Sequence, residues 1–270
     1  MNKYFSEVKR HLFLYGVFVK NCIMRQMEYR ANFFMMMSIE SMFLVIKILY
    51  ASVVYGAGVK IYGFSADAIS VFIGTYILAT GIYMAVFYSN LSNIQKYVRD
   101  GSLDMMITKP VSLQFLVTLR YVDIGGALPN LAGGLIMIIT GWKKANIPVN
   151  FSVLAGFVIF FIGGIIVGYS IMLFPQLLSF WTVKIDALRE ISDSIWDFNN
   201  MPMIIYNRVI QVAGIFFFPI FLVTNFSPLW IMGKLSVSYL IWGLVAPIVF
   251  FTIIRFFWKR ALRSYCSASS

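Results

Sequence analysis

Six stretches of this sequence are apolar for at least the thickness of a bilayer, and nothing else in it constrains the fold as strongly. They run over Phe33–Tyr55, Ile69–Ser89, Leu113–Thr140, Ser152–Phe180, Met203–Val223 and Val237–Trp258. Each meets the roughly 20 residues a helix needs to cross a hydrocarbon core of about 30 Å. Inside hydrocarbon a backbone must satisfy its own polar groups, so these runs predict helices. Charged residues make up only 12% of the chain, against about 25% in a soluble domain. The expected fold class is therefore all-α integral membrane, with six transmembrane helices over residues 33–270 as a single domain.

The net charge is +11, but the basic residues gather between apolar runs instead of forming a patch that would bind nucleic acid. Of the 22 Lys and Arg residues, seventeen precede the first run, fall in 91–120 or 181–208, or follow from Arg255 onward. Lys60, Lys143, Lys144 and Lys234 occupy the alternate loops, and Lys47 lies inside a run. By the positive-inside rule both termini are expected in the cytoplasm. Residues 1–32 precede the first span and pattern as an amphipathic helix. Leu12, Tyr15, Val19, Cys22 and Ile23 fall on one side, with Lys9, Arg10, Lys20, Arg25 and Arg30 around them, which suits the headgroup region. No small-residue cleavage site follows an apolar core there, so no cleavable leader is expected.

Catalytic chemistry finds no footing. The glycine spacing of Gly58 and Gly63 is followed by Phe64-Ser65 and not by Lys-Ser/Thr, so no phosphate-binding loop is present. One histidine, His11, and two cysteines, Cys22 and Cys266, supply neither a zinc set nor a Ser–His–Asp arrangement. No metal, cofactor or enzymatic activity is expected of the chain itself.

Several polar features need a reason. Glu40 and Lys47 sit inside the first run, seven residues or about 10 Å apart. Facing lipid, each would cost about 2.5–3.5 kcal/mol, so each needs a partner on another helix. They could line a transport path or pair between subunits. Arg120 and Asp123 can meet at i, i+3 near the start of the third run, either half solvated at the membrane boundary or acting on a substrate. Gly125-Gly126 and Pro129 would kink the helix beyond them. Residues 181–198 pattern as a second cytoplasmic helix with Leu188, Ile191, Ile195 and Phe198 on one face. Asp186, Glu190, Asp193 and Asp197 mark the other, as a solvated face or a protein contact. After Gly214, Pro219 and Pro228 break nearly continuous hydrophobicity. Two short helices dipping into the outer leaflet and returning explain this better than one kinked span.

The longest polar interruption is Asn90–Leu113. Ile94, Tyr97 and Val98 give a short helix one apolar face, and Gly101 ends it by taking the left-handed cap. Asp104 can bond local backbone, and Pro110 blocks continuation. On physical grounds this is either a solvated turn or a surface helix presenting Arg99, Asp100 and Asp104 to a partner.

The sequence Val98-Arg99-Asp100-Gly101-Ser102-Leu103-Asp104, with Pro110-Val111 beyond it, resembles the cytoplasmic coupling loop of ABC-2-type permeases, the membrane subunits of one class of ABC exporter. Met106 and Ile107 occupy that loop's apolar slots. Pro202, Tyr206, Phe217-Phe218-Pro219 and Asn225-Phe226-Ser227-Pro228 extend the resemblance toward the other end, in order and spacing over nearly the whole chain. It implies that the N-terminal helix is an interfacial elbow. Tyr97, Val98, Arg99, Asp100, Gly101, Leu103, Asp104 and Pro110 would couple to a separate ATPase subunit that binds ATP and Mg. Pro219, Asn225 and Pro228 would belong to a re-entrant hairpin before the last span. It further implies an ATP-driven exporter in a bacterial cell membrane, built from two permease halves, alike or related. The competing expectation is an ATP-independent channel or scaffold subunit. The substrate is not readable, because aromatic-rich spans follow equally from contact with membrane lipid.

Overall fold

The computed structural model describes residues 2–56, 66–182 and 186–265. Lys60, Lys184, Cys266 and the glycines of the 58–63 spacing lie outside them, as does the side chain of Asp186. Among the described residues every regular element is helical. Helix α1 (Asn2–Glu28) turns at Tyr29 into α2 (Arg30–Gly56). Next come α3 (Ala66–Ile82), a π-helical turn (Tyr83–Tyr88) and α4 (Ser89–Arg99), which together form one continuous rod. Then follow α5 (Leu103–Ile107), α6 (Leu113–Leu119), α7 (Ile124–Lys144), α8 (Phe151–Leu177) and α9 (Asp186–Asp197). After two short 3₁₀ turns come α10 (Arg208–Val212), a π-turn (Ala213–Phe217), α11 (Phe221–Thr224), α12 (Phe226–Ile231) and α13 (Val237–Arg263).

Five helices among the described residues are long and apolar enough to cross a membrane: Arg30–Leu49, Ile69–Arg99, Ile124–Lys144, Phe151–Phe180 and Val237–Arg263. Their starts are capped as the sequence allows. Asn150 accepts from the Val153 amide at 2.8 Å and Ser236 from the Tyr239 amide at 3.4 Å, filling donors a helix start leaves open.

Three expectations are corrected. The second apolar run does not end at Ser89, because Leu91, Ile94 and Tyr97 keep a buried face and carry the same rod on to Arg99. The third run is not one kinked helix. It breaks completely at Arg120–Asp123, and Asp123 starts α7 by accepting from the Gly126 amide at 3.2 Å. The run Met203–Val223 is not a span. Asn207 caps a new helix, Phe218-Pro219 interrupts it, and the rest returns as two pieces of four and six residues.

The acidic helix α9 is also not a surface element. Its Trp196 stacks on Tyr83 at 4.3 Å and donates to Thr80 at 3.3 Å. It also lies against Gly168, well inside α8. Asn199 accepts from Thr224, and Asn225 accepts from the Met203 amide. Residues 186–205 therefore run in among the spans, with Leu188, Ser192 and Trp196 buried and Glu190, Ile191 and Asp197 open on the other side.

The tightest packing joins α3 to α7. A Cβ on Gly134 would stand 2.5 Å from the Leu78 amide nitrogen and 2.8 Å from the Gly74 carbonyl. Small residues allow this backbone approach, which is what holds helices together where lipid removes the hydrophobic driving force. Gly164 of α8 plays the same part against the backbone of Leu222 and Val223.

Candidate functional site

The polar loop between α4 and α6 is built around Gly101, whose φ of 69° lies in the left-handed region. That conformation is nearly free for glycine and strained for other residues. It turns the chain so that α5 lies against the body of the protein. Leu103 and Met106 are then buried in the core cluster that holds Ile94, Tyr97, Trp258 and Ala261. Tyr97 and Leu103, expected to project toward a partner, instead pack inward, and Val98 is half-buried against the same core. The outward side of α5 carries Met105 and Ile107, 70% and 49% exposed, followed by exposed Lys109 and Pro110. Arg99 and Asp100 form an exposed ion pair at 3.4 Å beside them. Asp104 faces the end of α13. Burial first, and then the Asp104 carboxylate, push the Tyr265 phenol above its ordinary pKa, so at neutral pH it stays protonated beside that acid.

A second polar group lies inside the membrane-spanning body. Glu40 accepts from the Asn130 amide at 3.0 Å, and Asn130 is fully buried. The Lys47 ammonium sits 5.5 Å from the centre of the Tyr76 ring. A cation over an aromatic face gains about 0.5–2 kcal/mol. The two charges of the first span thus meet separate partners on α7 and α3.

The break at Arg120–Asp123 is stitched by two other helices. Asn90 of α4 donates to the Tyr121 carbonyl at 2.7 Å and accepts from the Tyr121 amide at 2.9 Å. Gln26 of α1 donates to the Val122 carbonyl at 2.8 Å and accepts from the amides of Ile124 and Gly125. The Asp123 amide donates to Ala85, a carbonyl in the π-turn. Arg120 and Asp123 do not meet: Arg120 lies over the Tyr121 ring while Asp123 caps α7. A cavity of about 630 Å³ opens beside the break, lined by Arg25, Gln26, Asn93 and Asp123 among others. Sequence reading missed Gln26, Asn90 and Asn130. Asn130 is a neutral polar residue in an apolar stretch, a signal that a buried bond to another helix produces, whereas Gln26 and Asn90 stand in polar stretches that carry no such signal.

In the hairpin region, Pro219 marks the turn between α10 with its π-turn and α11. Asn225 and Pro228 line a smaller cavity with Ile69, Arg208, Met232 and Tyr239. Arg208 therefore lies at the level of the α3 and α13 starts, not at the level of the 91–120 loop. Among the described residues no group of His, Cys, Asp and Glu could hold a metal.

A family model described as ABC-2 family transporter protein matches residues 41–269. The chain belongs to the ABC-2 transporter family, a class of integral membrane transport components. No curated protein and no solved structure matches the chain.

Proposed function

We propose that this protein is the permease subunit of an ATP-driven ABC exporter, forming half of a translocation path and taking its drive from a separate ATPase through residues 92–110. The observation that carries the coupling role is the two-sidedness of α5. Met105 and Ile107 are open to a partner, while Leu103 and Met106, on the same short helix, are buried among α4, α13 and their neighbours. Force on the outer pair reaches the spans with no slack between. Closure of an ATPase pair would move α5 and shift the population between two arrangements of the helices, with ATP and Mg held on the partner.

Six crossings follow if residues 186–205 supply the fifth, in place of the expected 203–223. Residues 208–231 then form the re-entrant hairpin before α13. This moves Arg208 to the Lys234 side and leaves both termini on the basic, cytoplasmic side of a bacterial cell membrane. Glu190 and Asp197 on the open side of α9 suit neither lipid nor a closed monomer, which favours a second permease half across that face.

The test is pull-down of the cognate ATPase with the purified permease, together with ATPase activity of the reconstituted complex. Met105→Asp with Ile107→Asp should lose at least tenfold in ATPase affinity, because apolar anchors at an interface centre carry its energy. Arg99→Ala should change affinity little, as an exposed ion pair contributes about 0–1 kcal/mol. Unchanged ATPase binding by the double variant would end this assignment of the docking surface.

A further inference from the structure

Arg255 lies in the last third of α13, two turns before the end of the helix, and among the described residues its hydrogen-bond partner is the neutral Gln114. It donates to the Gln114 side-chain carbonyl, whose own amide donates to the Tyr169 hydroxyl at 2.9 Å. Tyr169 in turn donates to Thr118 at 3.4 Å. Gln114, Tyr169 and Thr118 are all buried, so this chain of bonds fixes the guanidinium in place and leaves its charge unanswered. No carboxylate of the described residues stands within ion-pairing distance of Arg255. A guanidinium has five N–H donors, and an intramembrane cation without a counter-ion is costly.

The same guanidinium is the only charged group lining a cavity of about 530 Å³. The other walls are mainly apolar, among them Phe87, Ile165, Ile166 and Phe251. A second groove of about 460 Å³ runs between α1 and α6 and shares Ser112, Phe115 and Leu119 with the first. Two mainly apolar grooves thus part around Phe115, the second edged by Glu7 and His11, close to one half-buried cationic head. Lys259, Arg260 and Arg263 follow on the next turns of α13 and mark the headgroup level of that leaflet.

We propose that this is a binding site for an anionic diacyl phospholipid of the leaflet at the basic end of α13. Its phosphodiester pairs with Arg255, and its two chains lie in the grooves on either side of Phe115. The phosphate supplies the missing counter-ion, and the forked apolar surface selects a two-chain ligand over a bare anion.

The full chain, purified in mild detergent and stripped of lipid, is titrated with phosphatidylglycerol, with phosphatidylcholine and with inorganic phosphate. Retention is read by native mass spectrometry and stability by thermal melting. Phosphatidylglycerol should bind at one per chain and raise the melting temperature more than phosphatidylcholine, while inorganic phosphate should do neither. Arg255→Gln should weaken phosphatidylglycerol binding about tenfold or more, the loss expected for a charge-assisted bond. Ile166→Trp fills the cavity without touching Arg255 and should abolish retention in a protein that still melts cooperatively, so it decides the matter if Arg255→Gln does not fold. Equal retention of the two lipids, undiminished retention in Ile166→Trp, or full stabilisation by inorganic phosphate would each overturn the site as a phospholipid site.

Discussion

Gly134 and Gly74 set how closely two of the spans can approach, and that closeness leaves no tolerance for a side chain. A Cβ at Gly134 falls 2.5 Å from backbone, where nothing flexible can give way. Gly134→Val should therefore force α3 and α7 apart at a cost of about 1–3 kcal/mol or more. The expected result is early melting and loss of the monodisperse peak in size-exclusion chromatography, with Gly16→Val, where a Cβ meets nothing, as the silent control. The Glu40–Asn130 bond is a second residue-scale test. A double-mutant cycle with Glu40→Leu and Asn130→Leu should give a coupling of about 0.6–1.7 kcal/mol, the range measured for hydrogen bonds between membrane helices. Zero coupling would mean the two groups do not meet. Glu40 was legible in the sequence because a carboxylate in an apolar run demands a partner. Asn130 was not, since it lies ninety positions away and is chosen by how α2 packs on α7.

At the scale of elements, a left-handed glycine makes a concrete demand. Gly101→Val must hold a β-branched residue at a φ of 69°, a strain of about 1–3 kcal/mol. If α5 turns on this hinge, the variant should keep its overall fold and melting behaviour to within a few degrees yet lose ATPase stimulation by substrate. Full stimulation in Gly101→Val would remove the hinge from the coupling route. The hinge itself was readable, because few residues but glycine end a helix that way. Which side of α5 faces outward was not readable, since Leu103, Met105, Met106 and Ile107 are all apolar and only packing separates them. The acidic helix shows the same limit from the other direction. A helix lying on water and a helix lining a polar gap between spans have the same pattern of one apolar and one charged face. Only Trp196 stacked on Tyr83 tells them apart. The run 203–223 misled because hydrophobicity there is nearly continuous, while the backbone obeys Asn207 and Pro219.

For the molecule as a whole, the position of Arg208 decides between two ways of threading the chain. The basic-residue count placed it with the 91–120 loop. The cavity it shares with Ile69, Met232 and Tyr239 places it level with the start of α13. In a Cys266→Ser background, with native Cys22 buried, single cysteines at Arg208 and Lys234 should react alike with an impermeant reagent in intact cells. A cysteine at Arg99 should react only after the membrane is opened. Labelling of Arg208→Cys in parallel with Arg99→Cys would return the fifth crossing to 203–223.

The stitching of Tyr121, Val122 and Asp123 by Gln26 and Asn90 also bears on how the chain is made. Helix α1 leaves the ribosome before the segment it completes, which follows about a hundred residues later. Without α1 the third crossing would carry loose amides and carbonyls, a poor substrate for release into lipid, each costing several kcal/mol if left dry. Insertion of that crossing thus draws on a helix made well before it. Removing residues 2–28 should leave a nascent chain that stalls midway and is cleared by membrane proteases.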